Sequence, residues 1–478
     1  MEGRQDDTAL SPSQEAPSAD EVAGASQEAG SLFDRRYRGT TIGAIVLVAL
    51  YAFEALAVAT AMPTVAQALD GLSLYALAFG GTLASSVVGM VACGRWADQR
   101  GPAPPLRHGI VWFSLGLLIA GFAPSMEVLL LGRIVQGFGG GLMSVALYVA
   151  VGRVYPPAMH PRIFASFAAA WVVPAVIGPT IAGALVEHLG WRWVFLSVPL
   201  LALAAAAFVL PAVRGLGAAV GHAHDDEGVQ PHRLAWAIGA ALSALALHYA
   251  GQLRHGGGAL MLAVSAIALL VCAWHLLPRG TLRAARGLPT VVMMRGIASA
   301  AFFGTEVFIP LLLSRERGLS PTMAGAALTL GALGWSFGSW YRSRASQPFA
   351  PSQLLRIGMS MIVIGIAGVA CAVSPSVPVS AGIVGWIAAG FGMGLLFPTL
   401  SVLILELSPP NRQGVNSSAL HLCDALFTAT VLAVGGSVFA ALLTRAPAMA
   451  YLVGFAISAV LALLGAVLAS RVRPEIPR

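Results

Sequence analysis

Apolar runs of about twenty residues recur along this chain between residues 40 and 470. A helix that rises 1.5 Å per residue needs about twenty apolar residues to cross the hydrocarbon core of a bilayer. Only 10% of the 478 residues are charged, whereas a soluble protein carries about 25%. The chain is therefore predicted to be an all-α integral membrane protein with about fourteen transmembrane helices. The predicted spans are 40–62, 74–94, 107–123, 127–151, 163–186, 193–213, 234–250, 258–277, 290–313, 321–341, 354–374, 379–405, 415–441 and 448–470.

The distribution of arginine predicts the orientation of these spans. All 28 basic residues are arginines, and an inside N-terminus puts 22 of them in inner loops or at inner helix ends. Five then lie in outer loops, and Arg133 lies inside a span. Because inner loops of membrane proteins are enriched in basic residues, both termini are predicted to be cytoplasmic, in the plasma membrane of a bacterium. The basic excess is thereby explained without a nucleic-acid partner, and twelve spans remain the alternative count because those near 107 and 234 are short.

The chain divides into four parts by composition and by a weak repeat. Gly94-Arg95-Trp96 follows the second span, and Gly338-Ser339-Trp340 follows the tenth. If spans seven and eight are an insertion, the tenth is the second span of a second half, as in transporters built from two related halves around a central site. The predicted parts are a disordered acidic cytoplasmic tail at 1–33, an N-terminal six-helix half at 34–213, a cytoplasmic linker with two extra helices at 214–289, and a C-terminal six-helix half with a short tail at 290–478.

One inner loop carries the segment Gly94-Arg95-Trp96-Ala97-Asp98-Gln99-Arg100-Gly101. Its glycines permit a tight turn. Asp98 can cap a helix or pair with an arginine, Arg100 or Arg107, and so latch the inner face. The alternative is an ordinary tight turn with no gating role.

Charged groups inside the spans are not expected by accident, because they are costly to bury. Arg133 lies in the fourth span within Gly132-Arg133-Ile134-Val135-Gln136-Gly137, and a charge inside hydrocarbon is costly unless it meets water or an acid. Three acids, Glu54, Glu306 and Asp424, also fall inside spans. Burial disfavours their charged form, so such a group can take up a proton on one side and release it on the other. The alternatives are an arginine bonded to backbone carbonyls and acids that only bond a neighbour.

The fifth span contains proline and glycine at close intervals, in the run from Pro174 to Gly183. Proline removes a helix hydrogen bond, and glycine lets a neighbouring helix approach closely. The run around Gly178, Pro179 and Gly183 therefore predicts a bending, tightly packed helix at the interface of the two halves. The alternative is plain helix packing.

Together these segments resemble the major facilitator superfamily, in its drug:proton antiporter branch with fourteen helices, over residues 40–470. The resemblance implies that the inner-loop signature has a gating role, that the arginine motif takes part in proton transfer, and that the motif of the fifth span belongs to exporters. The sequence departs from the family pattern at Pro102 and Ala103, where basic residues are usual, and at Pro174 and Ala182, where glycines are usual. From the resemblance and from the acids inside the spans, the predicted residues are Gly94, Asp98, Arg100 and Gly101 for inner-loop gating, Glu54, Arg133, Glu306 and Asp424 for proton coupling, and Gly178, Pro179 and Gly183 for the antiporter motif.

The predicted function is proton-coupled efflux of small hydrophobic or amphipathic compounds by alternating access. Gln136, Trp171, Phe302 and Trp335 are candidates for lining the substrate cavity. The alternative is a dedicated exporter of one endogenous metabolite on the same scaffold. An enzyme is not expected, because no P-loop, metalloprotease motif or nucleophile elbow is present. We expect no cofactor and no metal, a small-molecule substrate, protons and the lipid bilayer as partners, and a monomer.

Reporter fusions test the predicted topology. A fusion at residue 254 should report an external location and a fusion at residue 283 a cytoplasmic one, because the eighth span would separate them. The measurement is the ratio of alkaline phosphatase to fluorescent-protein activity at each site. Both fusions reporting the same side would rule out the extra pair of spans.

Overall fold

The computed structural model describes residues 31–71, 74–214, 231–250, 256–319, 321–344, 348–443 and 445–473. The predicted acidic tail, apart from residues 31–33, lies outside this part of the chain. So does most of the linker between the sixth and seventh helices, at 215–230.

The described residues form fourteen helices of 19 to 31 residues, which confirms the predicted all-α architecture. Helices are expected because the backbone of a spanning segment must satisfy its own hydrogen bonds in lipid. By length and composition, nine described segments are long and apolar enough to cross a membrane. The helices are α1 (Arg38–Ala68), α2 (Tyr75–Arg100), α3 (Ala103–Gly121), α4 (Met126–Val154), α5 (His160–His188), α6 (Arg192–Val213), α7 (Pro231–Ala250), α8 (Gly256–Leu276), α9 (Leu288–Glu306), α10 (Pro321–Arg342), α11 (Pro351–Cys371), α12 (Val379–Glu406), α13 (Gln413–Leu443) and α14 (Pro447–Leu468).

The packing of the helices repeats with an offset of eight. In the first set, α1 packs against α5 and α6, while α2 and α3 flank α4, and α3 also contacts α6. In the second set, α9 packs against α13 and α14, while α10 and α11 flank α12, and α11 also contacts α14. We call α1–α6 the first half and α9–α14 the second half. The repeated glycine–tryptophan segments lie on α2 and α10, which hold equivalent places in the two halves.

Glycines let α4 and α12 pack unusually close to their neighbours. A Cβ atom added at Gly390 of α12 would lie 2.0 Å from the carbonyl oxygen of Gly331 on α10. A Cβ atom at Gly139 of α4 would lie 2.2 Å from the backbone nitrogen of Phe113 on α3. No side chain fits at such distances, so these glycines set the spacing between the helices.

The two halves meet along α2 and α13, along α5 and α10, and where α4 meets α13. The two linking helices, α7 and α8, pack on each other. Helix α7 also packs on α2 and α13, and α8 touches α13. The linking pair therefore sits against the seam where the two halves join.

The segment predicted as an inner loop is mostly helical. Residues from Gly94 to Arg100 form the last turns of α2. The turn itself is confined to Gly101, whose φ of 82° is in the left-handed region that favours glycine. Gly101 ends the helix and Pro102 precedes α3, so the predicted loop is wrong for the residues before Gly101.

Replacing Gly390 with alanine should destabilise the protein. The new Cβ would collide with backbone rather than with a movable side chain, and overpacking of this kind costs about 1–3 kcal/mol or more. Gly325→Ala on α10 is the matched control, because an added Cβ meets nothing within 4 Å there. Thermal unfolding of the purified variants measures the difference. Equal midpoints for the two variants would show that the contact between α10 and α12 adjusts freely.

Candidate functional site

A buried ion pair joins α1 to α4. The guanidinium of Arg133 donates to the carboxylate of Glu54, and the two residues are only 4% and 2% exposed. The same Nη1 donates to Oε1 of Gln136 at 2.8 Å, and Nε donates to the carbonyl oxygen of Ala78 on α2 at 3.3 Å. Gln136 follows Arg133 by three residues and so lies on the same helix face. The structure thus brings together three residues that the sequence predicted for function.

The chemistry of this pair follows from its burial. Taking two charges out of water costs several kcal/mol per ion, which only the partner's charge and further hydrogen bonds offset. Leaving either charge alone costs about 3–5 kcal/mol, so a proton that neutralised Glu54 would change the energy of Arg133 as well. The amide nitrogen of Gln136 is buried without a hydrogen-bond partner among the described atoms. It leaves a free donor beside the ion pair.

A second ion pair lies in the other half, and the sequence predicted only one of its members, Asp424. Nε of Arg295 on α9 donates to Oδ2 of Asp424 on α13 at 3.2 Å. Nη1 of Arg295 lies 3.5 Å from Oγ of Ser401, and the guanidinium carbon lies 3.3 Å from the centre of the Phe397 ring. Arg295 is 4% exposed, whereas the Asp424 side chain is 21% exposed. The sequence-based list of charged groups inside spans did not include Arg295, although it is the eighth residue of an apolar helix and lies within the predicted span 290–313.

Polar contacts lead from this second pair to the first half. The hydroxyl of Tyr148 on α4 lies 3.1 Å from Oγ of Ser401 on α12. The Tyr148 ring also packs edge-on against the imidazole of His421 on α13, with 4.4 Å between ring centres. Asp424, Arg295, Ser401 and Tyr148 thus form a connected series that crosses from one half to the other.

Asp98 fastens the halves together at the start of α13. One carboxylate oxygen accepts the N–H of Gly414 at 2.6 Å, and the other accepts the N–H of Val415 at 2.9 Å. The first N–H groups of a helix have no partner within the helix and carry its partial positive charge, so they favour a carboxylate. We call this contact the latch. Of the two options left by the sequence, helix capping is correct, and an arginine at 100 or 107 is not the partner.

The surroundings of the latch explain its electrostatics. Asp98 lies beyond the apolar run 74–94, and burial raises the pKa of its carboxyl to about 6, although both backbone N–H groups, Arg153 and Arg412 act to lower it. At neutral pH the carboxylate that caps α13 is therefore charged. Arg100 is exposed and makes no hydrogen bond or ion pair with any described residue, so the structure does not bring it into the latch.

Two further contacts between α2 and α13 lie at the same end of the bundle as the latch. Oγ of Ser418 on α13 donates to the carbonyl oxygen of Met90 on α2 at 2.7 Å. A Cβ atom at Gly414 would lie 2.1 Å from the carbonyl oxygen of Gly94. We call this end, where α2 ends and α13 begins, the latch end. The halves are closely joined there in this conformation.

Glu306 has a different environment from the other predicted acids. It is the last residue of α9, partly buried, and makes no hydrogen bond or ion pair with any described residue. The chain then bends at Val307 and Phe308 before a short π-helical turn at Leu312–Glu316. Glu306 is therefore not joined to either ion pair.

The aromatic candidates differ in how far a substrate could reach them. Trp171 on α5 is 42% exposed and meets the Tyr51 ring edge-on at 6.2 Å. Trp335 on α10 is partly buried. Phe302 is only 2% exposed and stacks on Trp386 at 4.4 Å, so the prediction that it lines a cavity is wrong in this conformation. A phenylalanine in an apolar span packs equally well in a core or a cavity wall, and the sequence does not separate the two.

The glycines of the fifth span are not tightly packed. A Cβ at Gly178 would meet its nearest neighbour, the Phe53 ring, at an ordinary 3.6 Å, and one at Gly183 would meet nothing within 4 Å. Helix α5 runs unbroken through the backbone of Pro179, whose side chain is outside the described atoms. The expectation of close packing at Gly178 and Gly183 is wrong here, because the neighbouring side chains leave room for a methyl group at both positions.

No group of three or more metal-ligating side chains occurs within the described ranges. The histidine- and aspartate-rich segment of the long linker, at 222–227, lies outside them. The candidate site consists of the ion pairs, the latch and the aromatic side chains.

Comparison with known proteins places the chain in a family. The family model described as Major Facilitator Superfamily matches residues 43–431. A probable multidrug-efflux transporter of Mycobacterium tuberculosis is 26% identical over 407 residues, which cover 82% of this chain and 85% of that protein. An MFS-type transporter of the fungus Metarhizium majus is 24% identical over 417 residues, covering 82% of this chain and 70% of the relative.

Solved structures share the fold at lower identity. The human organic anion transporter TETRAN superposes with a TM-score of 0.66 at 16% identity, over 90% of this chain and 99% of that chain. The proton:xylose symporter XylE gives a TM-score of 0.65 at 14% identity, over 91% of this chain and 96% of that chain. These similarities establish the fold alone.

Replacing Asp98 with asparagine should loosen the start of α13. Asparagine keeps one acceptor but turns an NH2 group toward the second N–H, and a hydrogen bond to a charged group is worth about 1.5–3 kcal/mol. Amide hydrogen exchange of the peptide that contains Gly414 and Val415 should therefore quicken by about tenfold or more. Arg100→Gln is the control and should leave this exchange unchanged. Equal exchange in parent and Asp98→Asn proteins would show that Asp98 does not hold the latch.

Proposed function

The chain belongs to the Major Facilitator Superfamily, a family of membrane transporters, and we propose that it exports small hydrophobic or amphipathic compounds in exchange for protons. The proposal places it in the drug:proton antiporter branch, with fourteen membrane crossings. The curated relatives named as multidrug-efflux transporters support the export of drug-like compounds.

The observation that carries the proposal is the buried pair of Glu54 and Arg133. Its members lie on two different helices of the first half, and neither has appreciable access to water. A carboxylate in such a place is stable only while the guanidinium stays near it. If a change of conformation moves Arg133 away, Glu54 must take up a proton. This couples proton uptake to the movement of helices.

Asp424 supplies a second acid with a different role. Its side chain is seven times as exposed as that of Glu54, at 21% against 3%, while it keeps its bond to Arg295. We assign Asp424 to contact with water or with a polar group of the substrate, and Glu54 to the proton. The exposed ring of Trp171 gives the substrate an apolar surface, whereas Gln136, only 1% exposed, offers its free amide donor only after a change of conformation.

Alternating access follows from where the halves are fastened. The latch, the Ser418 bond and the contacts of Tyr148 all join the two halves. Opening of the latch end breaks these hydrogen bonds and separates Gly414 from Gly94, whereas the close glycine contacts of α4 with α3 and of α12 with α10 lie within each half and stay intact. The two halves therefore move as rigid units about the site between them.

The arginine distribution supports a cytoplasmic position for the latch end. Arg95, Arg100, Arg153 and Arg412 all lie at this end of the bundle. Basic residues of membrane proteins are retained on the cytoplasmic side. The described conformation is thus closed toward the cytoplasm, and we place the protein in the plasma membrane of a bacterium with both termini inside.

Glu54→Gln should abolish proton coupling, because glutamine cannot carry the proton. Inside-out vesicles energised with a proton gradient should accumulate a fluorescent cationic dye with the parent protein, and the variant should only equilibrate it. A pH-sensitive dye should record proton release on substrate addition with the parent alone. Glu187→Gln, at an exposed acid of α5, is the matched control and should transport like the parent.

The outcomes of this experiment separate the candidates for proton carrier. If Glu54→Gln still drives the dye against its gradient at the parental rate, the assignment is wrong, and Asp424 and Glu306 are the next candidates. A panel of unrelated toxic compounds separates multidrug export from the export of one metabolite, since a dedicated exporter would protect cells against one chemical class at most.

A further inference from the structure

A cleft at the latch end carries two arginines that neither the ion pairs nor the latch uses. Its enclosed volume is only about 30 Å³, and it opens to a space of about 520 Å³ that includes the solvent at its mouth. Four helices form its walls, α2 from the first half, α13 from the second, and the linking helices α7 and α8. Its lining includes Arg95 and Arg233 together with Leu234, Leu276 and Leu422.

The charged part of this lining is entirely positive. Arg95 makes no hydrogen bond or ion pair with any described residue. Arg233 uses Nη2 to donate to the carbonyl oxygen of Leu276 at 3.0 Å, which leaves its other N–H groups available. The nearest acid along α2, Asp98, is engaged by the start of α13. Two guanidiniums thus share a cleft that contains no carboxylate among its described walls.

The two arginines are close enough to repel each other. Arg233 precedes the apolar run 234–250, and its pKa is lowered from the ordinary value, chiefly by burial and secondly by the positive charge of Arg95. Repulsion of this kind is relieved by an anion between the two charges. Guanidinium groups bind phosphate oxygens through paired N–H donors.

The remainder of the lining selects the kind of anion. Most of the other side chains are aliphatic, and Leu234, Leu276 and Leu422 come from three different helices. Such walls give a free phosphate ion nothing to bind, but they suit an acyl chain. Basic clefts between transmembrane helices on the cytoplasmic side bind the headgroups of anionic lipids. A molecule with both a phosphate and an acyl chain matches this lining.

We propose that this cleft binds an anionic phospholipid, with its phosphate on Arg95 and Arg233 and an acyl chain along the leucines of α7, α8 and α13. The linking helices then have a specific role, since they complete a lipid site at the seam between the halves.

Binding at this cleft should be linked to the latch. The walls include α2 and α13, whose relative position the latch fixes through Asp98 and Gly414. A ligand that touches both helices binds best when they are held together, and it therefore favours the latched state by the difference in affinity. The lipid composition of the membrane would thus adjust how readily the cytoplasmic side opens.

Titration of the purified full chain with short-chain phosphatidylglycerol tests the proposal. Native mass spectrometry measures the bound fraction, and we expect the Arg95→Gln/Arg233→Gln variant to bind at least about tenfold more weakly than the parent. Arg100→Gln/Arg279→Gln is the matched control, because it removes the same charge from two exposed arginines at this end of the bundle. The control should bind like the parent.

Several results would overturn the proposal. Equal losses in the two double variants would show that only net charge matters, and equal binding of zwitterionic phosphatidylcholine would show that the charge is irrelevant. Binding of inorganic phosphate as tight as that of the lipid would point to a free anion as the ligand. Tighter lipid binding after amide replacement of Asp225, Asp226 and Glu227 would show that the linker's own acids occupy the arginines. Should the double variant fail to fold, the single variants at 95 and 233 give the same comparison.

The link to the latch has its own measurement. Phosphatidylglycerol should slow amide exchange of the peptide that contains Gly414 and Val415 in the parent, and should not do so in Arg95→Gln/Arg233→Gln. Lipid that binds the parent without slowing this exchange would refute the coupling and restrict the cleft to a passive site.

Discussion

A charge buried among apolar helices has no water to stabilise it, and this constraint fixes how the helices of this protein are arranged. Arg133 ties α4 to α1 through Glu54, and Arg295 ties α9 to α13 through Asp424. Asp98 meets the same need without a basic side chain, because the first N–H groups of α13 serve as its counter-charge. Each half contains one of the two ion pairs, and the contact of Asp98 joins the halves. The same physical requirement therefore stabilises the packing inside each half and closes one end of the molecule.

The contacts within a half and those between halves differ in kind. Within each half, glycines bring α4 and α12 against their neighbours at distances where even a methyl group would collide. Between the halves, the described contacts at the latch end are hydrogen bonds, each worth only about 1–3 kcal/mol, and one close backbone approach of Gly414 to Gly94. Close packing resists deformation, whereas a few hydrogen bonds are exchanged for water at small cost. This difference favours movement of whole halves over rearrangement inside them.

The departure from the family pattern at Pro102 and Ala103 has little consequence for the latch. Basic side chains that are usual at those positions are not needed, because the carboxylate of Asp98 is satisfied by backbone N–H groups with Arg153 and Arg412 nearby. Arg95 lies on the same helix as Asp98, but it lines the cleft against α7 and α13. The linking helices, proposed from the sequence as an insertion, thereby border the part of the seam that the latch controls.

The sequence by itself determined the helices, because helix length and apolar composition are local properties of the chain. It also identified Glu54, Arg133, Asp98 and Asp424 as unusual, since a charge in or beside an apolar run is costly wherever it lies. The partners of these charged side chains depend on the tertiary structure. Asp98 meets N–H groups 316 and 317 residues away, and Asp424 meets an arginine 129 residues before it. Such pairings depend on which helices pack side by side, and an apolar helix can pack against many others, so no local pattern specifies them. The same reason separates Phe302, which is buried against Trp386, from Trp171, which stays exposed.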